Sequence, residues 1–304
     1  MSNLKVGVIG AGVFGGYHSH KTASSELASF SGIYDPNPEK RQTIAGQNDA
    51  AAFGTEAALF EECDAVIIAS PASSHEAVVR RALKAGLHVL VEKPLALSHQ
   101  GAQTLVSLAD EKSRVLQVGH QERLVLAAMG FFAIEEPVVS IEAVREGPPA
   151  PGGRATDVSV IWDLMIHDLD MAAKLIGEGA SVAASGERRH SDYIDEASAQ
   201  LAYADGRSAT IGASRAADER KRAMTITYAS GSITVDFLTR QVDNTTPHRV
   251  QLDISDTLPD PLGAADEAFF AACLGHADTP IPGRVAAEAV RLAELAEAAA
   301  RKGH

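Results

Sequence analysis

Short apolar runs alternate with amphipathic stretches from Leu4 to about residue 119, and this alternation sets the first expectation for the fold. Strands are predicted at Leu4–Ile9, Ser29–Tyr34, Asp64–Ala69, Leu87–Val91 and Arg114–Val118, with a weaker one near Ala50–Phe53. Several are apolar at successive positions, as strands covered on both faces must be. The stretches between them carry helix-start signals. Asn37-Pro38 offers a cap and a first-turn proline, and Ser73-x-x-Glu76 has the spacing of a capping box. Such alternation predicts a parallel, doubly wound α/β sheet.

After residue 120 the period changes. A strand at about Val138–Arg145 leads into the loop "EGPPAPGGRATD" and then a helix containing "VIWDLMIHDLD", Val160 to Asp170. Hairpin signals follow, with turns at Asp205-Gly206 and Ser230-Gly231. Further strands are expected near Ser181–Arg189 and Arg249–Ile254, and an Ala/Glu-rich helix from about Arg284 to Arg301 closes the chain. The pattern predicts two domains, residues 1–120 and 121–304, the second an α/β domain with an open, mostly antiparallel sheet.

Charge and composition narrow the partners. A net charge of −13 without any Lys/Arg cluster argues against nucleic acid and anionic membranes. No apolar run approaches the roughly 20 residues of a membrane span. The first strand begins almost at once, leaving no room for a secretory signal, so a cytoplasmic protein is expected. Cys63 and Cys273 lie far apart without CxxC spacing and read as buried free thiols.

"VGVIGAGVFGG" places Gly10-x-Gly12-x-x-Gly15 directly after the first strand and at the start of a helix. A pyrophosphate needs that tight turn, close backbone approach and a helix N-terminus with free N–H groups. Asp35 follows Gly15 by 20 residues, at the end of the second strand. A carboxylate there accepts from the adenosine ribose hydroxyls and repels a 2′-phosphate, which favours NAD over NADP. His18 and His20, in the helix that follows, read as packing or surface residues.

Further motifs stand in a definite order: Ser70-Pro71 with His75, Glu92-Lys93-Pro94 after the fifth strand, "VGHQERL" at Val118–Leu124, and Asp163-x-x-x-His167. In this order and spacing the chain resembles the Gfo/Idh/MocA family of NAD(P)-dependent sugar and polyol oxidoreductases. The likeness covers nearly the whole chain and is strongest over residues 4–124 and 157–177. It implies an N-terminal Rossmann domain holding NAD and a C-terminal domain for substrate binding and oligomerisation. It implies cofactor contacts from Gly10, Gly12, Val13, Phe14, Gly15, Asp35, Ser70, Pro71, His75, Glu92 and Lys93. It also implies that Lys93 lies near the nicotinamide and the substrate hydroxyl, facing Asp163 and His167.

Oxidising a carbinol requires a base for the hydroxyl proton while hydride leaves the carbon. Histidine suits that task with an unperturbed pKa of about 6.5, whereas lysine at about 10.4 must first be lowered. The roles expected are His167 as general base, Lys93 as hydrogen-bond donor or proton relay, and Asp163 as orienter or substrate ligand. Which of Lys93 and His167 takes the proton stays open. Asp163 and His167 stand four residues apart and share a helix face. Asp168 and Asp170 read as the solvated face of the same helix, with Asp170 four residues before Lys174. Consecutive His167 and Asp168 point about 100° apart on a helix, so no metal is expected.

Gly-His-x-Glu-Arg and "DLMIHDLD" are similar to family members that oxidise C3 of UDP-N-acetylglucosamine. A nucleotide-sugar diphosphate would draw on Arg123 and Arg154, with His120 beside them as a substrate residue. Other readings are an inositol, free-sugar or dihydrodiol dehydrogenase of the same family, or a non-catalytic NAD-binding regulator. A regulator is expected to lose one of Lys93, Asp163 or His167, and all three are present. An open sheet leaves one face to cover, so a homodimer or homotetramer through the C-terminal sheet is expected.

Overall fold

The computed structural model describes residues 3–149 and 157–302. Two compact units emerge: Met1–Gln121 with Asp260–Ala287, and Glu122–Pro259 with Glu288–His304. Residues 260–287, grouped with the second half on sequence pattern, pack with the first.

The first unit begins β1 (Leu4–Ile9), α1 (Val13–Ser24), β2 (Ala28–Tyr34), α2 (Pro38–Gln47), β3 (Ala51–Phe53), α3 (Glu56–Glu61) and β4 (Ala65–Ile68). It continues with α4 (His75–Lys84), β5 (His88–Val91), α5 (His99–Lys112) and β6 (Leu116–Val118). All strand pairs are parallel, in the order β3-β2-β1-β4-β5-β6. On the central strand β4 every residue from Ala65 to Ile68 is fully buried, because helices cover both faces. That is the physical source of its unbroken apolar run.

The Asn37 side chain caps α2 as expected, accepting from the N–H groups of Glu39 and Lys40 at 3.0 and 3.1 Å. The capping box at Ser73 does not form. A 3-10 turn over Ala72–Ser74 moves the start of α4 on to His75, and Glu76 pairs with Arg80 instead.

The second unit contains α6 (Glu122–Ala128), β7 (Val138–Glu146), a π-helical turn over Ile161–Met165 and α7 (Ile166–Leu175). The remaining strands are β8 (Ser181–Glu187), β9 (Glu196–Ala202), β10 (Ser208–Ser214), β11 (Lys221–Tyr228), β12 (Gly231–Asp236) and β13 (Val242–Asn244). They form one sheet in the order β13-β12-β11-β7-β10-β9-β8. Only β7 and β10 run parallel; the other pairs are antiparallel, including both expected hairpins. Along β9 Ala197, Ala199 and Leu201 are buried while Ser198, Gln200 and Ala202 are exposed. Helix α7 packs on β7 and β10.

The strand expected near Arg249–Ile254 is absent: β13 takes the sheet edge, and the Gln251 N–H donates to the Met129 carbonyl instead. The chain then returns through α8 (Pro261–Cys273) and ends in α9 (Gly283–Lys302). Helix α8 escaped the sequence reading although Asp260-Pro261 is a start signal like Asn37-Pro38, and the Asp260 side chain does accept from the Gly263 N–H at 3.1 Å. Phe269 and Phe270 of α8 are fully buried in one core with Val6, Val8, Ile33, Ile67 and Leu90 of the parallel sheet.

Cys63 and Cys273 are free thiols, each only partly buried. Burial raises both, that of Cys63 to about 11. No helix among the described residues is long and apolar enough to cross a membrane.

Candidate active site

At the carboxyl end of β1 the backbone makes a cradle. Gly10 has φ +102°, in the left-handed region that favours glycine, and its N–H donates to the Tyr34 carbonyl at 2.8 Å. A Cβ on Gly15 would lie 1.7 Å from the Gly10 carbonyl oxygen, so α1 comes this close to the turn only with glycine there. A Cβ on Gly12 would meet nothing within 4 Å. That side of the turn is open, and Gly12 is the N-cap of α1, so no side chain occupies the first N–H groups. Val13 and Phe14 begin the helix with exposed side chains. The residues present therefore fit a dinucleotide pyrophosphate, which needs both the open approach and the helix terminus.

Asp35 is half-buried at the end of β2. Its Oδ2 accepts from the Ala11 N–H at 2.7 Å and its Oδ1 from the Asn37 N–H at 2.8 Å. Each oxygen keeps a further lone pair for a ribose hydroxyl. The strand order reverses between β1 and β4, the place where open α/β sheets bind ligands at their carboxyl edge. Gly10, Ser70, Lys93 and His120 all follow strands at that edge.

His75, expected to touch cofactor, is 1% exposed. Its Nδ1 lies 2.7 Å from the Pro94 carbonyl and its Nε2 2.9 Å from the Ser70 carbonyl. A neutral ring donates to one of the two, and these contacts set His75 between two loops of the carboxyl edge. The Lys93-Pro94 peptide is cis, and Lys93 is half-buried. His120 is buried.

Glu92, next to Lys93 in the chain, is buried, with Oε1 accepting from the Gln121 side chain at 2.8 Å. The same oxygen lies 3.3 Å from His18 Nε2, and His18 Nδ1 is 2.9 Å from both oxygens of Asp266 on α8. Both ring nitrogens thus face carboxylates, and a neutral imidazole can donate from only one. Burial opposes ionisation of His18, but Asp266 and Glu92 outweigh it and raise its pKa from 6.5 to about 10. His18 is a buried ion-pair centre.

Because the folded pKa is raised, this stabilisation is complete below the unfolded value and is lost as pH climbs through the folded one. The urea midpoint is expected to fall between about pH 6.5 and about pH 10, and the slope to be weaker in His18→Gln. Equal slopes in the two proteins would show that His18 is not charged in the fold.

In the second unit, the stretch Val160–Asp170 divides unexpectedly. Asp163 lies in the π-helical turn, a device frequent at functional sites, and His167 lies in the first turn of α7. Both keep partial exposure. Asp168 and Asp170 do not: they are 2% and 0% exposed, not solvated as expected. Asp168 accepts from Arg145 Nε and Nη2 at 2.9 and 3.2 Å. Asp170 accepts from Arg123 Nε and Nη2, both at 2.6 Å.

Arg123 is itself 4% exposed and committed to that pair, so it is not available to a diphosphate. Arg154, the other expected cation, lies outside the described residues. His167 Nδ1 lies 2.8 Å from Glu122 Oε2, and Arg145 Nη1 donates to Glu122 Oε1 at 3.1 Å. Glu122, Arg145, Asp168 and Asp170 were not assigned from the sequence. The available signal was charge in an apolar setting, which demands a partner once buried. Among the described residues, no group of three or more His, Cys, Asp or Glu side chains is placed to hold a metal ion.

Residues 4–120 match the family model of the GFO/IDH/MocA oxidoreductases with an NAD-binding Rossmann fold, and residues 138–234 match the GFO/IDH/MocA C-terminal domain. The chain belongs to the Gfo/Idh/MocA oxidoreductase family. This member is 36% identical, over 88% of its length and 83% of the relative's, to UDP-N-acetylglucosamine 3-dehydrogenase of Acidithiobacillus ferrooxidans. A crystal structure of that enzyme superposes with a TM-score of 0.89 at 33% identity, covering 99% of both chains. An inositol 2-dehydrogenase of Rhizobium meliloti is 28% identical over 70% of this chain and 69% of its own. The WlbA dehydrogenase of Bordetella pertussis, crystallised with NADH and UDP-GlcNAcA, shares the fold at a TM-score of 0.89 and 19% identity, over 99% of this chain and 96% of that one. This family member is accordingly an oxidoreductase with an NAD-binding Rossmann domain.

Proposed function

We propose that this chain is an NAD-dependent dehydrogenase that oxidises the C3 hydroxyl of a UDP-N-acetylhexosamine, with UDP-N-acetylglucosamine as the leading candidate. The observation that carries the reaction class is the cradle at Gly10, Gly12 and Gly15, with Lys93 on the same sheet edge. The substrate class draws on the 36% identity to the Acidithiobacillus enzyme, which extends over both halves of the chain.

Gly10, Gly12, Val13, Phe14 and Gly15 would hold the pyrophosphate and Asp35 the adenosine ribose, with Ser70, Pro71 and Glu92 along the carboxyl edge completing the NAD site. NAD, when bound, accepts the hydride. His167 takes the carbinol proton, Lys93 donates a hydrogen bond to the same oxygen, and Asp163 orients the sugar. With Arg123 committed to Asp170, Arg154 is the cation assigned to the diphosphate, and His120 is a second substrate residue. The first unit thus serves NAD and the second the sugar. The reading carries with it a cytoplasmic location, no nucleic-acid partner, and self-association through the sheet of the second unit, whose outer face presents Ser140, Glu142, Thr210 and Thr225.

The test is absorbance of reduced cofactor across a panel of UDP-N-acetylglucosamine, UDP-glucose, myo-inositol and free hexoses, with NAD and NADP in parallel. Turnover is expected with the UDP-N-acetyl sugar and NAD. Turnover confined to myo-inositol or a free hexose would overturn the substrate assignment, and a preference for NADP would overturn the role of Asp35.

A further inference from the structure

We infer that Glu122 is the positioning residue of His167: it selects the ring tautomer and so decides which nitrogen receives the substrate proton. The inference rests on the role proposed above for His167. Glu122 opens α6, and its Oε2 lies 2.8 Å from His167 Nδ1. A carboxylate only accepts, so in the neutral ring Nδ1 carries the hydrogen and the lone pair is on Nε2. The proton-accepting atom is thereby chosen before any substrate arrives.

The carboxylate is itself held. Its Oε1 accepts from Arg145 Nη1 at 3.1 Å, and Arg145 is gripped from the other side by both oxygens of Asp168 at 2.9 and 3.2 Å. Arg145 stands on the buried face of β7 with Ile141 and Ala143, and is 3% exposed. Burial alone would raise the Glu122 carboxyl. The neighbouring His167 ring and the Arg145 guanidinium outweigh that effect and hold it well below the usual carboxylate range. Arg145 is kept cationic by Asp168 and Glu122 against its own burial.

The run Asp168–Arg145–Glu122–His167 therefore alternates in charge and ends on the imidazole. It also accounts for the adjacency of His167 and Asp168. Side chains about 100° apart on a helix cannot share one ion, but they can reach the two ends of a Glu–Arg pair.

During turnover the carbinol O–H bond breaks, the proton bonds to His167 Nε2, and the hydride leaves the carbon for NAD. Glu122 gains no proton. It stays an anion facing the Nδ1–H of the new imidazolium, the arrangement by which a buried carboxylate stabilises a histidine as it becomes charged.

The experiment is long-range 15N–1H NMR of the imidazoles in the full-length protein, wild type against Glu122→Gln and Glu122→Ala, with His167→Gln to assign the signal. The wild-type neutral ring is expected to carry its hydrogen on Nδ1. Glu122→Gln keeps an accepting oxygen, so the tautomer is expected to persist with kcat down about tenfold. Glu122→Ala is expected to shift the ring toward the Nε2–H form and to lower kcat on the order of 10²-fold, with KM for NAD unchanged. A wild-type ring with its hydrogen on Nε2 would overturn the inference, as would a Glu122→Ala enzyme within about twofold of wild type. If wild type turns over nothing in the panel, the proposed substrate fails. The tautomer measurement needs no substrate and then decides this inference alone.

Discussion

His167→Ala is expected to lower turnover roughly 10²–10⁴-fold, the range lost when a positioned proton-transfer group is removed. Alanine removes the ring that Glu122 orients at 2.8 Å and leaves water to accept the carbinol proton. The NAD cradle belongs to a different folding unit, around Gly10 to Gly15, so NAD binding measured by calorimetry is expected to be retained. That pairing of lost kcat with kept cofactor affinity separates a chemical role from a general disturbance of the fold. Lys93→Met completes the comparison: it removes the charge and keeps the stem. Under the roles proposed it impairs turnover less than His167→Ala. A His167→Ala enzyme that keeps full turnover, beside a dead Lys93→Met enzyme, would transfer the base to Lys93.

Asp170→Ala is expected to destabilise the protein by about 3–5 kcal/mol, the cost of leaving one member of a buried ion pair alone. Arg123 and Asp170 are 4% and 0% exposed, and two bonds of 2.6 Å join them. The attraction within the pair largely offsets the desolvation of its members. Deleting the carboxylate leaves a guanidinium in a site that water does not reach. Set against a typical total stability of about 5–15 kcal/mol, the variant approaches the point of unfolding. The double variant Arg123→Met/Asp170→Leu removes both charges and is expected to recover most of the loss, because apolar replacements of a buried pair are often neutral. Urea denaturation of the three proteins is the measurement. A loss of under about 1 kcal/mol in Asp170→Ala would place the pair in the class of solvent-screened bridges and contradict its burial.

The cofactor half of the fold was readable because its signals are local. Gly10, Gly12 and Gly15 lie within six positions of one another, and the need for left-handed or uncrowded backbone is written in the residue type. Apolar runs as unbroken as Ala65–Ile68 identify strands covered on both faces. Helix α8 was missed although its cap was visible, since nothing local shows that Phe269 and Phe270 return across the sequence to the core of β1 and β4. Asp168 and Asp170 were misread for a related reason. Helical periodicity gives the angle at which a side chain leaves the axis, not what stands opposite. Here the opposite groups are Arg145 and Arg123, 23 and 47 residues away.

By itself the sequence determined the alternation that makes the parallel sheet and the glycine turn that admits a dinucleotide. Each follows from steric or periodic rules acting over a few residues. Only the tertiary structure decided the ionisable groups: that Asp170 closes on Arg123, that His18 sits between Asp266 and Glu92, and that Glu122 meets His167. The reason is that a charge's role depends on burial and on its partner, and both come from elements distant in sequence that meet only when the chain folds.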